Sequence, residues 1–324
     1  MDPAQFLTAP RVTIVAGKGG VGKTTVTAAL AVAATKVGLS VLIVEIEGKS
    51  AIAAMFDRDD LGYESTELIA ADPASGRGSL TARTLAPDDA LVEYLEGHGL
   101  KRISNRLASS GALDMVATAT PGIKDVLILG KVKQLERAAA AGQLDADVII
   151  VDAPAAGHAI SFLRSAQGLL DAVKVGPIEA QAREVRDLLA DASRCQVVLV
   201  TLPEETPVNE LTETAFSLED RVGVELGPVV VNGIYPPLDG LGVDPQEAAS
   251  AAGVHLQPGE ADALELAAAF RSSRTELQQV QLDRLSRQLP LPQLHLPFLF
   301  TSDLRREHAE LLAQRLLEQI EQLP

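Results

Sequence analysis

Gly17-Lys18-Gly19-Gly20-Val21-Gly22-Lys23-Thr24-Thr25 lies between an apolar run, Val12-Thr13-Ile14-Val15-Ala16, and a helix-prone segment at 26–35. Strand, glycine-rich turn and helix in that order are the setting of a phosphate-binding loop. Glycines allow successive backbone N–H groups to converge on phosphate oxygens, and the helix N-terminus adds partial positive charge. Gly17, Gly19, Gly20, Val21 and Gly22 form the cradle, and Thr25 closes it. Lys23 is placed to reach the β- and γ-phosphates, and the Thr24 hydroxyl to ligate Mg²⁺. A bare strand–helix turn needs neither lysine. Lys18 is also surplus to an ordinary phosphate loop, and it narrows the reading to a nucleotide binder that dimerises.

Composition sets outer bounds. At 324 residues and 47% hydrophobic, the chain can build one large α/β domain with a substantial core. Aromatics are 3% and Trp is missing, so that core must come mainly from Ala, Leu, Val and Ile. Net charge is −16, from 28 basic and 44 acidic residues, which speaks against a nucleic-acid partner. No run of about 18 apolar residues is present, so no spanning helix and no membrane insertion are expected. The first ten residues lack a basic segment followed by an apolar one, and the expectation is a cytoplasmic protein. A single cysteine, Cys195, provides neither an internal disulfide nor a multi-cysteine metal site.

Apolar β-branched runs alternate with helix-length segments, which predicts a doubly wound, mostly parallel sheet. Strands are expected at 12–16, 41–46, 147–151, 196–201 and 228–231, with a weaker one at 293–296. Helices are expected at 23–37, 125–141, 159–173, 178–192, 207–221, 260–285 and 302–322. The whole of 1–324 reads as one phosphate-loop domain with helical insertions at 57–120 and 236–290. The first of these shows no convincing strand of the central sheet. In the last helix Leu312, Leu316, Ile320 and Leu323 form a stripe at helical spacing, while the polar face mixes Glu and Arg. A membrane-surface helix requires a basic face, so docking on the core is expected instead.

Three further strand ends carry chemistry. Val148-Ile149-Ile150-Val151-Asp152 is an apolar strand ending in a carboxylate, the form of a Walker B element that supports Mg²⁺. It runs into Ala153-Pro154-Ala155-Ala156-Gly157-His158, a loop suited to moving when the γ-phosphate leaves. Asp152 could also serve as a plain helix cap, and His158 reads equally as phosphate sensor or structural residue. Strand alternation puts Glu45 and Glu47 on one face at the carboxyl end of their strand. One could orient the attacking water and the other hold Mg²⁺ through water. Asn232, ending Val229-Val230-Val231, offers a donor and an acceptor that match an adenine edge, and is also an ordinary turn residue.

Lys18-Gly19-Gly20-Val21-Gly22-Lys23-Thr24 resembles the deviant Walker A motif of MinD, ParA, the nitrogenase iron protein and the ArsA/guided-entry ATPases. Asp152–His158 is similar to the switch segment DTAPTGH of the ArsA/guided-entry branch, which targets tail-anchored proteins in some members, with both Thr positions held by Ala. Pro121-Gly122-Ile123, Gly176-Pro177 and Asn232 fall where that branch has like elements. The Glu-x-Glu-Gly strand end and the Gly-Pro-x-x-Ala-Gln segment are closest to actinobacterial "anion-transporting ATPase" members. The resemblance covers most of the chain and implies a phosphate-loop fold of the SIMIBI type. It further implies that Lys18 crosses a dimer interface to the partner's nucleotide. Glu47 aligns with the Asp of the switch motif DPAHS, whose carboxylate positions the attacking water. Glu is one methylene longer, which implies slower hydrolysis or compensation elsewhere. Neither the arsenite-binding cysteines nor the zinc-binding CxxC of relatives can be formed from Cys195 alone.

The resulting expectation is a Mg²⁺-dependent ATPase working as a homodimer or as a heterodimer with a paralogue. Its catalytic set is Lys18, Lys23, Glu47 and Asp152, and its Mg²⁺ shell draws on Thr24, Glu45 and Asp152. Such an enzyme would couple ATP to a client, for example a membrane-protein segment. Two other roles fit the same residues: a weakly hydrolysing regulatory or scaffold subunit, and a ParA/MinD-like positioning ATPase. The acidic surface disfavours the last.

Overall fold

The computed structural model describes residues 1–46, 51–97 and 122–323, with the backbone alone at 155–158. Glu47 of the expected catalytic set therefore lies outside the described residues, and so does the His158 side chain. The described strands are β1 (Val12–Gly17), β2 (Val41–Ile46), β3 (Thr66–Ile69), β4 (Leu80–Leu85), β5 (Val148–Ala155), β6 (Cys195–Thr201), β7 (Glu225–Leu226), β8 (Val229–Ile234) and β9 (Gln293–Pro297). They join in one sheet ordered β3-β4-β2-β5-β1-β6-β8-β9, with β7 beside β6. Every described pairing is parallel except β3 with β4.

The described helices are α1 (Pro3–Thr8), α2 (Lys23–Lys36), α3 (Ala51–Met55), α4 (Pro87–Gly97), α5 (Ile123–Ala140), α6 (Ala156–Ala172), α7 (Pro177–Leu189), α8 (Glu205–Val222), α9 (Pro245–Ala251), α10 (Glu260–Gln288) and α11 (Arg306–Ile320). Strand alternation divides the core between the two faces of the sheet. In β2, Leu42, Val44 and Ile46 join the cluster that holds α5, α6, α7 and α8. Val41 and Ile43 face α2, α3 and α11 on the other side. Strands covered on both faces are apolar throughout, which is why β1 and β2 read as nearly continuous Val/Ile runs. The fold is the doubly wound, mostly parallel α/β sheet of phosphate-loop NTPases.

The strand-free expectation for 57–120 is corrected. Both β3 and β4 fall within it, and β4 extends the main sheet in parallel register from Val41↔Leu80 to Ile46↔Leu85. The signal is missed because β4 carries Thr81, Arg83 and Thr84 among its apolar positions. Arg83 is buried and its guanidinium lies 4.7 Å from the centre of the Tyr63 ring. A strand near the sheet edge can bury a cation under an aromatic face and lose its apolar signature. Of the remainder, 87–97 is helical, and 98–120 lies outside the described residues. The second stretch, 236–290, contains α9 and α10.

At the opposite face, α11 buries Ala309, Leu312, Ala313, Leu316, Leu317 and Ile320. It packs over α2, whose small residues Ala28, Ala29, Ala31, Ala33 and Ala34 are fully buried between α11 and the sheet. The terminal helix is thus part of the core.

Candidate functional site

Strand β1 lies between β5 and β6; the chain leaves β1 toward β2 on one side, whereas it leaves the neighbouring β5 toward β6 on the other. The carboxyl ends at such a reversal point form a crevice where ligands bind in open α/β sheets. Residues 17–23 connect β1 to α2 across this crevice. Gly17 sits where β1 approaches β6, and an added Cβ would come 2.3 Å from the Val200 carbonyl oxygen. Gly22 is held doubly: its φ is +90°, and a Cβ would meet Asn232 Nδ2 at 2.3 Å. That Asn232 nitrogen donates to the Val21 carbonyl at 3.0 Å, bracing the loop from β8.

Helix α2 starts at this loop with Gly22 as its cap and no side-chain capping bond. Its first N–H groups therefore point into the crevice without an intrahelical acceptor, the arrangement that binds an anion. Lys23 is 8% exposed, and its Nζ donates to the Lys18 carbonyl at 3.1 Å, closing the loop on itself. The site thus presents convergent backbone donors and a tethered ammonium, and these fit a polyphosphate.

Carboxylates line the adjoining edge. Asp152 of β5 faces Glu45 of β2 in register and Val15 of β1 on its other side. The Thr24 hydroxyl donates to Asp152 Oδ2 at 2.6 Å, tying α2 to β5. Glu45 Oε2 accepts from the Thr84 hydroxyl at 3.3 Å. Asp152 is 4% exposed and Glu45 1%, so two nearly buried carboxylates occupy neighbouring strand positions. Such a pair requires positive charge close by. Hard oxygen donors in small number suit Mg²⁺, which keeps several waters and takes its remaining ligands from substrate phosphates. Among the described residues no group of three or more His, Cys, Asp or Glu could by itself hold a metal ion. Thr24, Asp152 and Glu45 fit the ion in that shared role.

The structure adds two features to the site that the sequence reading does not contain. Lys18 forms an ion pair with Glu210 of α8 in its own chain, at 2.7 Å. Beside the loop, a cleft of about 240 Å³ is lined by Gly20, Gly22, Asn232, Phe298, Leu299 and Leu304, among others. Its far wall is the segment after β9, whose apolar run Phe298-Leu299-Phe300 follows a proline at the strand end. Exposed apolar side chains at a strand's carboxyl end were the available signal. Asn232 stands on this cleft wall beside the loop, with its amide nitrogen committed to Val21.

The model of the anion-transporting ATPase family matches residues 10–176, more than half of the chain. The chain belongs to that family. It is an ATPase of the ArsA/guided-entry type and a nucleotide binder. The matched span contains the whole phosphate loop, Glu45 and Asp152. ATPase BagA of Mycobacterium tuberculosis is 34% identical over 266 residues, covering 79% of this chain and 72% of that protein. ATPase get3 of Neurospora crassa is 28% identical over 211 residues, covering 64% of this chain and 57% of its own length. ATPase ARSA1 of Chlamydomonas reinhardtii is 24% identical over 267 residues, 68% of this chain and 34% of that protein. Among the described residues no helix is long and apolar enough to cross a membrane.

Proposed function

We propose that this ATPase is Mg²⁺-dependent and works as a nucleotide-controlled dimer that couples ATP to the handling of a client, such as a membrane-protein segment. The observation that carries the Mg²⁺ assignment is the Thr24–Asp152 bond at 2.6 Å, with Glu45 in the neighbouring register position. Mg²⁺, when bound, supplies charge neutralisation on the β- and γ-phosphate oxygens. The chain's own residues do the rest. Loop amides and Lys23 hold the phosphates, Thr24 and Asp152 order the ion's surroundings, and Glu47 orients the attacking water. Lys18 of one subunit reaches the other subunit's nucleotide as charge develops on the transferred group. Dimerisation and the role of Lys18 rest on the family resemblance. The client is supported only by the targeting function of some members.

Single-turnover hydrolysis, nucleotide binding and sedimentation, measured together, test this reading. Lys23→Ala is expected to lose ATP binding. Glu47→Gln is expected to keep binding and lose about 10²–10⁴-fold in rate, the usual range for removing a general base. Lys18→Ala is expected to bind ATP as a monomer and hydrolyse slowly. A Lys18→Ala protein with wild-type hydrolysis would overturn the cross-subunit role. Hydrolysis undiminished by chelation of Mg²⁺ would overturn the metal assignment.

A further inference from the structure

Strand β8 takes three steps from Val231 to Ile234, while its neighbour β9 takes two from His295 to Pro297. The extra residue makes a bulge at Asn232-Gly233, with Gly233 at a φ of +73°. A bulge beside a site re-aims a side chain and leaves backbone groups outside the ladder. Here Asn232 is turned onto the phosphate loop, where it donates to the Val21 carbonyl. Helix α10 meets the backbone groups that the bulge frees. Gln278, 5% exposed, donates through Nε2 to the Gly233 carbonyl at 3.0 Å and accepts at Oε1 from the Tyr235 amide at 2.9 Å. A leucine could fill the same space, but it could not satisfy a donor and an acceptor at once.

The same helix reaches the far wall of the cleft beside the loop. The chain has three Tyr and seven Phe, and three of these ten meet here: Tyr235, Phe298 and Phe300. Phe298 stands edge-on to Tyr235 at 5.1 Å and to Phe300 at 4.9 Å between ring centres, and its amide donates to the Ile234 carbonyl at 2.7 Å. The Arg271 guanidinium of α10 lies 4.2 Å from the centre of the Tyr235 ring and donates to the Pro236 carbonyl at 2.6 Å. Phe298 is 40% exposed and Phe300 70%, so these rings do not fill the core. They hold Phe298 on the cleft wall. A nucleotide with its phosphates on the loop has its base within reach of this cleft, between the Asn232 carboxamide and an aromatic ring.

We propose that Gln278 and Arg271 are positioning residues for the nucleotide base. Gln278 fixes the bulge that aims Asn232, and Arg271 fixes the Tyr235 ring against which Phe298 stands. Both act on the cleft walls rather than on the groups that hold the phosphates. The proposal rests on nucleotide binding at this loop, and not on Mg²⁺ dependence, a dimer or a client.

Calorimetric titration of the full chain with ATP and, separately, with inorganic tripolyphosphate tests this. Tripolyphosphate engages the loop and has no base to place in the cleft. Gln278→Met and Arg271→Met keep side-chain length and helix propensity. Each is expected to weaken ATP binding by about fivefold, the equivalent of one hydrogen bond, and tripolyphosphate binding by less than about twofold. Arg271→Lys keeps the charge and loses the planar group over Tyr235, so it is expected to behave as Arg271→Met does. That variant separates positioning from long-range charge, which would act on both ligands. Arg271 is partly exposed, so its variants give an answer even where Gln278→Met loses its fold by circular dichroism. Equal losses for ATP and tripolyphosphate would make the two residues general supports of the loop and overturn the proposal. Unchanged ATP affinity in both Arg271 variants would overturn its Arg271 half, and in Gln278→Met its Gln278 half. Each of these failures leaves the phosphate site, its Mg²⁺ assignment and the proposed dimer standing, because the wild-type chain binds ATP in every case.

Discussion

Gly22 shows how one residue can be fixed by two independent demands. Its φ of +90° is costly for any side chain, and the space a Cβ needs is taken by Asn232 Nδ2. Gly22→Ala is expected to destabilise the protein by about 1–3 kcal/mol, the usual cost of such backbone strain. For a chain of 324 residues that is roughly 1.5 °C in Tm per kcal/mol, readable by thermal melting. Adding Asn232→Ala removes the contact and leaves the φ penalty, so the double variant is expected to recover only part of the loss. Asp152 makes a different case, because its charge matters more than its shape. Asp152→Asn is expected to raise the Mg²⁺ concentration needed for half-maximal hydrolysis by about 10–100-fold, the typical effect of losing a metal-supporting carboxylate. Thr24→Ser keeps the hydroxyl and is expected to stay within a few-fold of wild type. A Mg²⁺ titration of hydrolysis separates the two.

Among the elements, the joints between helices and sheet are made by few buried charges. Arg194, just before β6, grips Glu136 of α5 through Nε to Oε1 at 3.2 Å and Nη2 to Oε2 at 2.5 Å. The Glu136 side chain is only 7% exposed, so Arg194→Ala strands a nearly buried carboxylate. The expected cost is about 3–5 kcal/mol, visible as a lower denaturation midpoint. Replacing both residues by leucine is expected to restore most of it. Helix α4 is joined to α5 through Glu93, which accepts from Lys131 at 2.5 Å and from the Tyr63 hydroxyl. Burial pushes the Glu93 pKa upward, but the bonds from Lys131 and Tyr63 prevail and hold it below its usual 4.5. A carboxylate with a depressed folded pKa stabilises the fold above its unfolded value. That contribution is lost as pH falls through the folded one. Stability measured from neutral pH downward is therefore expected to fall below about pH 4.5, and Glu93→Gln to flatten that acid limb. These joints also explain what the sequence could tell. The central strands are legible because burial on both faces forces a continuous apolar run, and the loop between β1 and α2 because its glycines and lysines follow one another. β4 is not legible, since Arg83 hides under Tyr63. Nor is the Lys18–Glu210 pair, whose partners stand 192 positions apart and meet only through the fold.

For the whole molecule, the net charge of −16 sets the terms of any dimer. Two such copies repel at long range, and salt screens that repulsion with a Debye length of about 8 Å at physiological ionic strength. Association must therefore be won by short-range contacts, and the proposed crossing of Lys18 to a partner's nucleotide is one of them. In the single chain that lysine is engaged already, paired with Glu210 at 2.7 Å with both side chains more than a third exposed. The pair has to open before Lys18 can cross. An exposed ion pair contributes about 0.2–1 kcal/mol and a dimer opens two of them, so their opening should weaken dimerisation by about 2- to 30-fold. Glu210→Gln is accordingly expected to tighten ATP-dependent dimerisation by that factor, measured by sedimentation across a dilution series. The substitution also removes one negative charge from each copy, and screening alone could mimic a small gain. Glu213→Gln, on the exposed side of the same helix, changes the net charge equally without touching Lys18. A gain seen with Glu210→Gln and missing with Glu213→Gln assigns the effect to release of the lysine. Equal gains in the two variants would assign it to long-range charge and leave the pair without influence on assembly.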